Sequence, residues 1–206
     1  MSEAIAATAG SVPVVHDDHH YTSTGQSSRK ILFWTFIGSE CMLFGSLIAT
    51  YLVYRGKDKI GPHPSEILNI PLTSVSAFVL LMSSLTMVLA LAAIQKRNMN
   101  GARLWLAATA TLGMMFVSFQ IYEFSHFVHE GLTLSTNLFG STFFVLTGFH
   151  GAHVTVGVIW LWTLFFLTFT GRIGPKNDLD VEICGLYWHF VDVVWVAIFT
   201  LIYLLR

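Results

Sequence analysis

Charge is what this 206-residue sequence has least of: Asp, Glu, Lys and Arg make up 11% of it, about half the share carried by a soluble domain. So few ionised side chains exclude an ordinary water-facing surface. A net charge of −1 with no basic block excludes a nucleic-acid partner. There are two cysteines, Cys41 and Cys184, without the CxxC spacing of a zinc or redox site. Both fall at or near apolar runs and read as buried, inert thiols. The N-terminus lacks the basic, apolar and small-residue order of a cleavable signal peptide, which leaves targeting to the first true span. No phosphate-binding loop, nucleophile with its base, or closed metal-ligand set is recognisable.

Hydrophobic residues are abundant instead, at 54% of the chain, and they gather into five runs at about 31–54, 73–95, 104–127, 138–170 and 186–205. Each is long enough to cross a bilayer as a helix. The expected fold is therefore an all-α membrane protein, a bundle of five transmembrane helices over residues 30–206. Residues 1–29 are polar and read as a disordered tail. Its tract His16-Asp-Asp-His-His20 is given no site, because a mobile acidic histidine tract holds metal weakly. The connections carry Gly, Pro and charge, as loops do: Gly56, Gly61, Pro62, Pro64 and Pro71 all fall before the second run. Seven Lys and Arg residues (Arg29, Lys30, Lys96, Arg97, Arg103, Arg172, Lys176) lie on one side of a five-span topology. Four (Arg55, Lys57, Lys59, Arg206) lie on the other. This imbalance predicts the N-terminus inside and the C-terminus outside.

The fourth run carries Gly148-Phe-His-Gly-Ala-His-Val-Thr-Val-Gly157, and a histidine pair in lipid demands an explanation. At ~100° per residue, His150, His153 and Gly157 share a face, with Thr147, Gly151 and Thr155 on the adjoining one. Small residues let helices approach and polar ones bond across, so this is a packing face, and hydrogen bonds to a neighbouring helix are favoured over metal ligation. Glu123-Phe-Ser-His126 has the Glu-x-x-His form of di-iron bundles, but one copy cannot build that site. With Glu130 nearby, Glu123 and His126 read as an interfacial cluster within reach of water.

Glu40 sits about nine residues into the first run, or roughly 14 Å along a helix. A carboxylate at that depth either holds and releases protons or stays protonated and bonded to a neighbour; the two readings weigh equally. On the wheel Gly38, Gly45 and Ala49 form the small, close-packing face, and Glu40 points away from it among Phe33, Phe36, Leu43 and Leu47. In the last run Trp188, Asp192 and Trp195 share a face, and His189 lies beside Asp192. His189, Trp188 or a residue of a partner subunit is expected to donate to Asp192.

Several of these segments resemble subunit III of the haem-copper oxygen reductases, the cytochrome c oxidase subunit 3 family, in a short five-span bacterial form. They are Tyr187-Trp-His-Phe-Val-Asp-Val-Val-Trp195, Gly140-Ser-Thr-Phe-Phe144, Thr147-Gly-Phe-His-Gly-Ala-His-Val154, Gly38-Ser-Glu40 and Ile121-Tyr-Glu-Phe124. The resemblance spans residues 30–206 and implies an accessory subunit of a proton-pumping terminal oxidase in the bacterial plasma membrane. Such a subunit binds directly to catalytic subunit I, in a complex with subunit II and a small subunit IV. It holds phospholipid but no cofactor, since haem and copper belong to the catalytic subunit. Glu40 then matches a membrane carboxylate tied to proton supply. Glu40 and Tyr187-Trp188 favour the cytochrome c type over a quinol oxidase. A stand-alone membrane metalloenzyme is the alternative from another class, and a transporter lacks its inverted repeat and broken helices.

Overall fold

The structure, a computed structural model, describes residues 27–55, 70–174 and 178–204. The histidine tract of the tail, Pro62, Pro64 and Arg206 lie outside the described residues, whereas Pro71, read as part of the loop, falls in the first turn of a helix that begins at Ile70, where proline is tolerated. Among the described residues there are five α-helices: α1 (Ser28–Tyr54), α2 (Ile70–Gln95), α3 (Met99–His129), α4 (Leu138–Leu167) and α5 (Leu179–Phe199). The last continues as a wider π-helical turn, Thr200–Leu204. All five are long and apolar enough to span a membrane.

Helix ends are fixed by local chemistry. The side chains of Asn98 and Asn137 accept from the backbone N–H of Gly101 at 3.0 Å and Gly140 at 2.7 Å, capping α3 and α4. Gly131 (φ 84°) and Arg97 (φ 59°) close α3 and α2 in the left-handed conformation. In both turns the paired backbone bonds, such as Asn98 N–H to Ala93 O at 2.9 Å, satisfy orphan carbonyls. α5 begins well before residue 186, because Asp180 and Glu182 break the apolar pattern yet suit the positive end of the helix dipole. They also meet cations of α1: Glu182 pairs with Lys30, and Asp180 lies 3.6 Å from Arg29. α1 itself starts at Ser28, inside the stretch read as tail, with the Ser27 side chain as its cap.

α5 is the central element, in contact with α1, α2 and α4, while α2 packs on α3 and α3 on α4. α1 is peripheral. It touches α4 and α5 and buries Ile37, Phe44 and Tyr51, one residue every seven, the spacing of a single helix seam. That seam lies on the Glu40 side. The wheel placed the close-packing face at Gly38, Gly45 and Ala49, and the structure leaves all three exposed, with no atom within 4 Å of a Cβ built on either glycine. Large side chains and a polar pair dock α1, so close backbone approach is not used there. Cys41 falls on the same outward side and is exposed, contrary to the expectation of a buried thiol; Cys184 is buried.

The close-approach argument does hold deeper in the bundle. A Cβ on Gly113 of α3 would come within 2.6 Å of the Trp188 ring, and one on Gly157 of α4 within 2.8 Å. The indole of Trp188, fully buried, is thus wedged between α3 and α4, and its Nε1–H donates to Ser83 Oγ of α2 at 2.9 Å. One side chain of α5 therefore touches three other helices.

Candidate functional site

Glu40 of α1 and His153 of α4 form the principal polar contact of the α1 seam. Glu40 Oε2 lies 3.1 Å from His153 Nε2, and both side chains are mostly covered, at 15% and 18% exposure. The other ring nitrogen, Nδ1, is 2.7 Å from the carbonyl oxygen of Phe149, one turn back on α4. A carbonyl only accepts, so Nδ1 carries a proton. The Nε2···Oε2 contact therefore holds one further proton, either on a carboxylic acid donating to Nε2 or on an imidazolium donating to a carboxylate. Tyr187 of α5 adds a third helix, its hydroxyl donating to the His153 carbonyl at 3.0 Å. Phe44 packs edge-on against His153, ring centroids 5.0 Å apart, and against His150 at 6.4 Å.

His150 is fully buried and takes no hydrogen bond at either nitrogen. Its ring stacks on Trp195 at 5.0 Å with a 20° interplanar angle. The two histidines thus have different surroundings, although they share a helix face. Thr147 is buried and bonds back to Phe143 O at 2.6 Å. Thr155 is exposed, with its hydroxyl on Gly151 O, and does not join the packing face.

The polar residues of α5 do not pair as anticipated. Trp188 donates to Ser83, and His189 Nδ1 lies 2.6 Å from Ser84 Oγ. Asp192 sits buried beside the Ser84 hydroxyl, in an interaction weaker than the hydrogen bonds named above. Neither His189 nor Trp188 reaches it, because both side chains bond to serines of α2 instead. At the far end of the bundle, Glu123 is buried rather than open to water. Its Oε1 accepts from Thr73 Oγ1 at 2.7 Å and from Tyr203 OH at 3.1 Å. His126 and Glu130 are exposed. The π-helical turn brings Tyr203 to this carboxyl, a reach that helix periodicity alone does not reveal.

Sequence reasoning did not single out Gln120, Ser83, Ser84, Thr73 or Tyr203. Gln120 left a signal, as an amide in an apolar run. Its Nε2 donates to Thr147 O at 2.8 Å across Gly151, where a Cβ would sit 2.9 Å from the amide. Among the described residues no three His, Cys, Asp or Glu side chains converge to hold a metal.

These features define a polytopic helical membrane protein in which several buried polar groups join one helix to another. The chain belongs to the cytochrome c oxidase subunit III family, whose model matches residues 15–206. It is 41% identical over 178 residues to the probable quinol oxidase subunit 3 of Staphylococcus saprophyticus, covering 86% of this chain and 89% of that one. It is 40% identical over 184 residues to the cytochrome c oxidase subunit 3 of Bacillus sp. (strain PS3), covering 89% of each. To the quinol oxidase subunit 3 of Bacillus subtilis it is 40% identical over 173 residues, 84% and 85% of the two chains. It is accordingly an accessory subunit of a terminal oxidase and a multi-pass protein of the bacterial plasma membrane.

Proposed function

We propose that this chain stabilises the catalytic subunit of a proton-translocating haem-copper oxygen reductase and supports its proton uptake. The proton-related group is Glu40, held by His153. The observation that carries this reading is the 3.1 Å contact between them, which keeps a single transferable proton between two titratable groups inside the span. A carboxylate alone at that depth is costly to ionise; with an imidazole beside it the proton moves between the two without a net change of charge. Oxygen reduction belongs to the catalytic subunit I it binds, in a complex with subunit II and a small subunit IV, and haem and copper reside in that catalytic subunit. Phospholipid covers the exposed apolar faces. The positive-residue count supports an N-terminus inside.

The donor is proposed to be cytochrome c, on Glu40 and Tyr187-Trp188. A quinol donor is the second reading, because relatives of both names match at similar identity. Purifying the complex that carries this chain and recording its spectrum identifies the haems. Reduction by cytochrome c supports the first donor, and reduction by quinol alone overturns it. Migration of this chain free of any haem-containing complex would overturn the whole reading.

A further inference from the structure

The core between α3, α4 and α5 contains polar atoms that no protein group satisfies. Both nitrogens of His150, both carboxyl oxygens of Asp192, Nε1 of Trp195 and Oε1 of Gln120 are sealed from the surface and lack a hydrogen bond. The residues are 0%, 4%, 2% and 7% exposed. Contacts tie three of them together, since His150 stacks on Trp195 and Gln120 reaches the α4 backbone at Thr147, beside His150; Asp192 lies one turn before Trp195 on α5, beside the Ser84 hydroxyl of α2. Phe116, one turn before Gln120, packs edge-on against both Trp195 at 4.9 Å and His150 at 6.0 Å.

We propose that these four side chains form an internal hydration site, occupied by ordered water. Buried polar groups in native proteins are almost always paired with protein or with water, and in a bilayer there is no bulk solvent to replace a missing partner. The groups do not satisfy one another. The imidazole lies nearly flat on the indole, so the in-plane N–H and lone pairs of the two rings run past each other.

The occupant must also both donate and accept. Asp192 and Gln120 Oε1 present acceptors, Trp195 Nε1 donates only, and a neutral imidazole offers one of each. A bare cation faces the indole N–H unfavourably, and an anion faces the carboxyl group unfavourably. Lipid headgroups and partner chains cannot reach atoms buried this deeply. Water meets all these conditions and bridges such groups in other interiors. Phe44 stands between this site and the Glu40–His153 pair, in ring contact with both histidines, so the two polar regions are kept apart by one aromatic ring.

The test uses the intact oxidase complex that contains this chain. Its structure is determined at a resolution that shows ordered water, and the Trp195 indole N–H is followed by resonance Raman after transfer to D2O, with Trp195→Phe identifying the band. Solvent density within hydrogen-bonding distance of His150 and of Asp192 or Trp195, with exchange of the indole proton, is the expected result. Density showing these atoms paired directly with protein groups and no solvent among them overturns the proposal. An indole proton that resists exchange as long as the bundle's core amides also overturns it.

Discussion

Glu40 and His153 meet across the α1–α4 seam at 3.1 Å, and the Phe149 carbonyl on Nδ1 leaves Nε2 free to face the carboxyl group. The pair is a docking contact and, in the proposed function, also a proton store, and substitutions separate the two roles. Glu40→Gln keeps a donor for Nε2 but no titratable proton. The expected outcome is a complex that assembles normally, loses about 1 kcal/mol or less of stability, and inactivates earlier during sustained turnover. Oxygen uptake followed to exhaustion measures this, and loss of the subunit on purification would assign Glu40 to packing alone.

Trp188 is wedged into α3 and α4 and bonded to Ser83 on α2. Trp188→Ala is expected to cost about 3–5 kcal/mol, whereas Trp188→Phe retains most of the packing and forfeits about 1 kcal/mol with the hydrogen bond. Thermal melting of the purified complex, monitored by retention of this chain, distinguishes the two.

The glycines divide by environment. Gly113→Ala places a Cβ 2.6 Å from the Trp188 ring and is expected to destabilise by about 1–3 kcal/mol. Gly45→Ala meets open space within the chain and leaves the bundle unaffected. Comparing thermal melting of the two variants in detergent checks the contrast. Weaker co-purification of Gly45→Ala with oxidase subunits would show that a partner helix covers that face.

Tyr203→Phe and Thr73→Val each remove one donor to the buried Glu123 carboxyl. Each is expected to cost about 0.5–1.5 kcal/mol. The double variant is expected to cost more than the sum, because it leaves the carboxyl with neither hydroxyl. A double-mutant cycle on melting midpoints or denaturant resistance reads this coupling.

Much of the architecture was legible because lipid imposes it. A span needs about 20 apolar residues, so five runs implied five helices. Ends were less clear, since the charged first turn of α5 belongs to the helix but not to the apolar run. Gly151 and Gly157 read correctly as close-contact positions, and Gly38 and Gly45 did not. The wheel orders residues around one helix but cannot say which face meets a neighbour.

By itself the sequence determined the spans, the family and the residues that carry polar chemistry in a hydrocarbon setting, because those follow from composition and local spacing. Only the tertiary structure decided the partners. It put Glu40 on His153, gave Trp188 to Ser83 and His189 to Ser84, buried Glu123 under Tyr203, and left His150 and Asp192 unpaired by protein. Hydrogen bonds between helices depend on rotation and depth to within an ångström or so, and only the packed bundle fixes those.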